Sequence, residues 1–420
     1  MKKPTIGFAG MTHLGLVSGV SASEKGFEVV CFDPDAARIA ALGRKELPVS
    51  EPQLDQLVAK NAARIRFTSA SADLNACEVI YVAPDVPTDD RGASDLALIN
   101  DLLERVFGAA REDAVIVVLS QVPPGFTRSR QRPDRNLYYQ VETLIFGRAV
   151  ERALQPERYI VGCADPSQPL PASYRAFLEA HGCPILPMRY ESAELAKISI
   201  NFFLVSSVTT SNVLAEVCEK IGADWAEIIP ALRLDRRIGP HAYLSPGLGI
   251  AGGNLERDLA TVLDLAGKRG TDEAVIRSWQ TNSARRRQWS LEWLNKEIYA
   301  KIEDPLVGIW GLAYKQDTHS TKNSPSLELI RNLKGRRIRV HDPAAEVEAA
   351  EFGFVRCREP SDAASGADAL VVMTPWALYG DERATEVIGR MKGRLVLDPY
   401  ARLNEQEYRS AGFDYRRLGC

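Results

Sequence analysis

Cysteine and histidine are scarce in this 420-residue sequence, which holds seven of the first and five of the second. Cys31, Cys77, Cys163, Cys183, Cys218, Cys357 and Cys420 are odd in number and form no C-x-x-C pair. That pattern fits reduced thiols and argues against a disulfide framework or a zinc site. Charge of one sign is not in excess either. A formal net charge of -3 excludes a general basic surface for nucleic acid or anionic lipid, so an anionic ligand would have to meet a local basic pocket. No uninterrupted apolar run is long enough to span a bilayer, and the lysines after Met1 lead into the strand-like PTIGFAG without an apolar h-region. Together these absences predict a cytoplasmic protein with no metal, nucleic-acid or membrane partner.

What is present is ordinary globular material, 45% hydrophobic and 25% charged, with length enough for two or three buried cores. Short apolar runs alternate with helical stretches from residue 4: TIGFAG, LGLVSGVSASEKG, FEVVCFD, then VIYVAP, AVIVVLS and YIVGC. The alternation restarts near Pro305 with PLVGIWGLAY, SLELIRNL, RRIRVHDP and ALVVMTP. Such a pattern predicts an α/β protein with two Rossmann-like, doubly wound parallel-sheet domains. Between them, Glu191 to Ile221 contains neither Pro nor Gly and reads as one long helix stopped by Gly222. The expected division is 1–190, a helical middle domain over 191–297, and 298–420.

Gly10, Thr12 and Gly15 occupy the three places of a G-x-G-x-x-G turn between the first strand and helix, and Asp33 closes the second strand. In such a turn the second glycine lets the backbone approach a dinucleotide diphosphate. Thr12 should therefore crowd the cofactor or donate its hydroxyl to it. Asp33 is placed to accept from ribose hydroxyls and to repel a 2′-phosphate, which favours NAD over NADP. The alternative is that Asp33 caps the helix beginning at Asp35 or Ala36.

Several longer stretches carry a resemblance. They are ELPVSEPQLDQLV from Glu46, VPTDDRGASDL from Val86, SQVPPGFTR from Ser120, QVETLIFGRAVERALQPERYIVG from Gln140, AELAKISIN, DRRIGPHAYL, PGLGIAGGNLERD and GLAYKQDTHSTKNSPS. Over nearly the whole chain they resemble the UDP-glucose/GDP-mannose dehydrogenase family, which oxidises C6 of a nucleotide sugar through two NAD-dependent hydride transfers. The resemblance implies that Glu142 handles water and substrate, that Lys197 stabilises the developing alkoxide beside Asn201, and that Asp258 accepts a proton. Taken alone, Lys197 would read as a solvated partner of Glu194. By the same resemblance Arg237 and Lys315 bind the nucleotide sugar, expected to be a UDP-hexose, and Lys322 reaches the NAD phosphates. A homodimer through the long helix is also implied.

The chain departs from the family at several places. Gln121 stands for a usual threonine and Phe146 for a second glutamate. LDPYARLN replaces the usual Asp-Gly-Arg-Asn, and the role of that arginine is not carried to Arg402. Above all, Asn254 occupies the position of the cysteine whose thiolate captures the aldehyde between the two oxidations. An amide cannot form a thioester. It can donate an NH to an aldehyde or hydrate oxygen, or it can simply make a turn, since Asn tolerates left-handed backbone. Three activities stay open: oxidation that stops at the aldehyde or proceeds without a thioester, nucleotide-sugar binding without catalysis, and ketone formation at a ring hydroxyl.

Overall fold

The computed structural model describes residues 3–89 and 92–420, so Asp90 and Arg91 of the VPTDDRGASDL segment lie outside the described residues. The chain divides into two compact units, Met1–Ile200 and Asn201–Cys420.

The first unit is built on an eight-stranded sheet. Its strands are β1 (Ile6–Ala9), β2 (Val29–Phe32), β3 (Ile65–Thr68), β4 (Val79–Val82), β5 (Val115–Val118), β6 (Asn136–Gln140), β7 (Tyr159–Cys163) and β8 (Ile185–Arg189). They run in the order β3-β2-β1-β4-β5-β6-β7-β8. All pairings are parallel except β6 with β7, so the doubly wound sheet expected from the sequence carries one antiparallel seam. Side chains alternate across this sheet. Phe8, Cys31, Tyr81 and Val117 pack into a core on one face, while Ala9, Phe32, Val82 and Val118 pack into a core on the other. Burial on both faces is why these strands read as continuous apolar runs. Each fully buried Val, Ile or Phe contributes about 1.5–3 kcal/mol.

The second unit holds β9 (Leu306–Trp310), β10 (Arg337–His341), β11 (Val355–Arg356), β12 (Ala369–Val372), β13 (Leu395–Leu397) and β14 (Asp414–Arg416), all parallel, in the order β11-β10-β9-β12-β13-β14. This repeats the strand order of the first six strands of the other sheet. The chemistry of the first turn repeats as well. Gly10 after β1 and Gly311 after β9 both have positive φ, 98° and 102°. Met11 N donates to Asp33 at 2.7 Å, and Leu312 N donates to Asp342 at 2.6 Å. In both sheets the strand order reverses beside these turns, and crevices at such switch points are where doubly wound folds bind ligands.

The long helix runs from Tyr190 to Ile221 and ends where Gly222 adopts φ 75°, as the sequence predicts. It is long and apolar enough to cross a membrane by length and composition alone, which differs from the sequence reading. Its middle is rich in Ser and Thr, which break up an apolar run yet weigh little in an average along the helix.

Candidate active site

The glycine turn is built to bring backbone close to backbone. A side chain on Gly10 would come within 2.8 Å of Pro84 N, and one on Gly15 within 1.9 Å of Gly10 O. The turn opens the helix His13–Glu24, whose N-terminal amides suit a diphosphate. Thr12 directs its hydroxyl to the end of β4, where it accepts from Asp85 N at 2.7 Å. Asp33, only 2% exposed, accepts from Met11 N, from Asp35 N at 3.0 Å and from Arg38 Nη1 at 2.9 Å. The helix-cap alternative for Asp33 fails, because Asp35 fills that post by accepting from Ala37 N and Arg38 N. The turn and the buried carboxylate fit a dinucleotide with free ribose hydroxyls. Arg38, missed in the sequence, adds a cation beside them.

The segment after β6 carries Glu142, whose Oε1 lies 2.7 Å from Lys197 Nζ; the two side chains are 16% and 13% exposed. Leu144 N donates to the other oxygen of Glu142 at 2.9 Å. The local pair of Lys197 with Glu194 does not form. Glu194 is fully buried and accepts instead from Gly125 N at 2.6 Å and Thr127 N at 2.8 Å, while burial raises its pKa. Phe146 stacks on His13 with ring centroids 4.2 Å apart. Behind that ring, His13 Nε2 meets Glu51 at 2.9 Å, and Glu51 also accepts from Gly147 N at 3.0 Å. Glu51 thereby joins the glycine-turn helix to the segment that carries Glu142, a link between distant positions that local patterns do not show. Gln121, near the end of β5, is buried.

In the second unit Asn201 Nδ2 donates to Asp258 Oδ2 at 2.5 Å, and Asp258 is 1% exposed with Arg257 Nε 3.6 Å from its other oxygen. Asn201 follows Lys197 by one turn of the same long helix. Asn254 is the first residue of the helix Asn254–Arg269. Left-handed backbone in this loop belongs to Gly249 and Gly252, so the turn-former reading of Asn254 is corrected: the residue opens a helix and its side chain is exposed. The loop is clamped by groups the sequence did not reveal. Glu256 pairs with Arg287 at 3.1 Å and is hydrogen-bonded by Asn323, and burial outweighs Arg287 and Lys322 in raising its pKa. Gly252 N donates to Lys322 O at 3.2 Å, and a side chain on Gly252 would strike the Tyr314 ring at 2.7 Å. Lys315 has its ammonium 5.8 Å from that ring's centroid. Arg237, with its side chain 89% exposed, grips Asp235 through Nε at 3.0 Å and Nη2 at 2.7 Å. Of the named cysteines Cys31, Cys77, Cys163 and Cys218 are buried.

Three family models match in chain order. Residues 4–177 match the UDP-glucose/GDP-mannose dehydrogenase family NAD binding domain, 191–284 its central domain, and 308–405 its UDP binding domain. The UDP-glucose 6-dehydrogenase of Pseudomonas aeruginosa is 30% identical over 437 residues, covering 98% of this chain and 96% of that one. The chain belongs to the UDP-glucose/GDP-mannose dehydrogenase family. Family membership makes it an NAD-dependent oxidoreductase of the nucleotide-sugar dehydrogenase type. The Bacillus subtilis UDP-glucose 6-dehydrogenase TuaD is 27% identical, covering 100% of this chain and 93% of its own. Among solved structures, a UDP-glucose dehydrogenase of Pyrobaculum islandicum superposes with a TM-score of 0.85 at 23% identity, covering 99% of this chain and 97% of that chain. A UDP-D-ManNAc dehydrogenase of Pyrococcus horikoshii gives 0.84 at 20%, covering 99% of both. These likenesses show the fold. Within the family frame, the glycine turn and Glu142 fall in the NAD binding domain, and Lys197, Asn201, Arg237, Asn254 and Asp258 in the central one. Lys315 and Lys322 fall in the UDP binding domain.

Proposed function

We propose that the protein is a UDP-hexose 6-dehydrogenase that handles the C6 aldehyde without a covalent thiol step. The observation that carries the reading is the Lys197–Glu142 pair at 2.7 Å, an ammonium and a carboxylate held together in a mostly buried setting. Lys197 stabilises the alkoxide formed at C6, Asp258 takes the hydroxyl proton, and Asn201 orients Asp258 through their hydrogen bond. NAD, when bound, receives the hydride from C6. Gly10, Thr12, Gly15, Asp33 and Lys322 hold that cofactor, while Arg237 and Lys315 bind the nucleotide sugar. The names of the curated relatives support UDP-glucose as the substrate to try first.

Asn254, at the start of a 16-residue helix, donates its amide NH to the aldehyde or hydrate oxygen. Without thiolate capture, release after one hydride transfer dominates, and oxidation of the hydrate to the acid is slow. We further propose the domain division 1–190, 191–297 and 298–420 and a homodimer formed through the long helix. Phe203 and Ile221 on that helix, 77% and 70% exposed, support the dimer.

The test is the ratio of NADH formed to UDP-glucose consumed, with the product identified by mass spectrometry. A ratio near one with a C6 carbonyl product is expected. A ratio near two with the uronic acid overturns the single-step reading. Phe146 in the place of a usual glutamate favours a second reading, a nucleotide-sugar binder, and tight UDP-sugar binding with no NADH would decide for it.

A further inference from the structure

A cavity of about 50 Å³ in the first unit extends behind the catalytic segment. Ser21 on the helix His13–Glu24 lines it, together with Gln140, Glu142, Arg152 and His181, and the rings of Phe8 and Tyr159 supply apolar wall. We propose that this cavity is a water passage that feeds the carboxylate of Glu142. The inference rests on the reading that Glu142 handles water, and it adds the route by which water arrives.

Three features support a wet cavity. Ser21 is 2% exposed, lines the cavity, and its Oγ has no hydrogen-bond partner among the described residues. A hydroxyl so buried is costly unless something in the cavity bonds to it. The volume is also suited to water: at roughly 10–15 Å³ of such space per molecule, about three to five waters fit. Finally, partly exposed Arg152 and His181 line the cavity as well, which gives it a way to solvent. Burial lowers the pKa of His181 to about 4, so a neutral imidazole stands there and can pass hydrogen bonds without attracting counter-ions. Arg152 donates through Nε to Thr143 O at 2.5 Å, which holds the catalytic segment over the cavity.

The slow second oxidation needs such a supply, because hydration there replaces thiol capture. Water adds its oxygen to C6 and a proton to the carbonyl oxygen, giving the gem-diol. Oxidation of the gem-diol then sends the C6 hydride to oxidised NAD and a hydroxyl proton to Glu142, from which the water file returns it to solvent. The balance is aldehyde, water and oxidised NAD giving acid, NADH and a proton. Glu142 both lines the cavity and pairs with Lys197.

The test has two arms. A high-resolution crystal structure of the full chain should show ordered waters bonded to Ser21 Oγ and continuing to Glu142, and a dry cavity overturns the proposal. In the second arm Ser21→Val replaces the hydroxyl with methyl groups, which interrupts the water file at that point. With the nucleotide-sugar 6-aldehyde as substrate, acid formation should fall about ten-fold, while NADH formation in the alcohol step stays within two-fold. Ser21→Ala, which leaves the space open, should keep both steps. Equal losses in both steps, or none in a Ser21→Val protein whose crystal structure shows the water file interrupted, overturn delivery. The two failures are distinguishable: ordered waters with no acid formed from supplied 6-aldehyde sink the slow second oxidation, whereas acid formation with a dry cavity sinks the passage.

Discussion

The Asp85 carboxylate accepts from the backbone amide of His13 at 2.9 Å, at the first turn of the helix that follows the glycine turn. A diphosphate bound there would seek the same amide and carries the same sign of charge. Asp85→Asn should therefore tighten NAD binding, lowering the KM for NAD about two- to five-fold, the size of one charge at a helix N-terminus. Raised salt should shrink the difference. An unchanged KM in the variant would show that Asp85 moves away without cost, and a higher one that its carboxylate aids NAD binding.

Asn254→Cys places a thiol at the first position of the helix, where the helix terminus lowers thiol pKa and promotes thiolate. The variant should shift the product from C6 carbonyl to acid, with the NADH yield per sugar rising toward two. It should also become sensitive to iodoacetamide, unlike the wild type. A variant that alkylates yet still releases the aldehyde would mean that geometry, and not the missing sulfur, limits the second step.

Removing the Lys197 ammonium leaves the Glu142 carboxylate buried beside an apolar group. Lys197→Met should lower kcat about 10²- to 10³-fold with a small change in the KM for the nucleotide sugar, as for other charge-stabilising groups that act mainly in the transition state. Binding measured by calorimetry should stay near the wild-type value. A comparable loss of binding would assign Lys197 to ground-state recognition.

His181 ties pH to stability. Its folded pKa, about 4, lies below the ordinary 6.5, so between these values the unfolded chain binds more protons than the folded one. Stability contributed by the neutral imidazole is thus fully present above about pH 6.5 and is lost as pH falls toward 4. The loss is on the order of 2–3 kcal/mol. His181→Gln should flatten this part of the Tm-against-pH curve relative to the wild type, and parallel curves would refute the assignment.

Much of the fold was legible because its signals are local. The strand-turn-helix around Gly10 and Gly15, the apolar runs of β1, β4 and β5, and the long helix ended by Gly222 all follow from short-range pattern. The candidate site was legible only in part. Lys197 pairs with Glu142, 55 positions away, while its helical neighbour Glu194 serves the amides of Gly125 and Thr127. Helical spacing could not choose between these outcomes, because the choice depends on which backbone amides tertiary packing brings to the helix. The Glu256–Arg287–Asn323 clamp and the His13–Glu51 contact are equally long-range. The antiparallel seam between β6 and β7 escaped notice because strand direction leaves no mark on a strand's own composition.

The position of Asn254 has a consequence beyond the choice of product. A thiolate poised at a helix terminus is also the group most easily lost to peroxide, through sulfenic to sulfinic acid. Here that position holds an amide, and Cys31, Cys77, Cys163 and Cys218 are sequestered in the interior. Sugar oxidation by this protein should then persist through peroxide treatment that would silence an enzyme relying on a thiolate at that helix terminus, trading catalytic reach for chemical endurance.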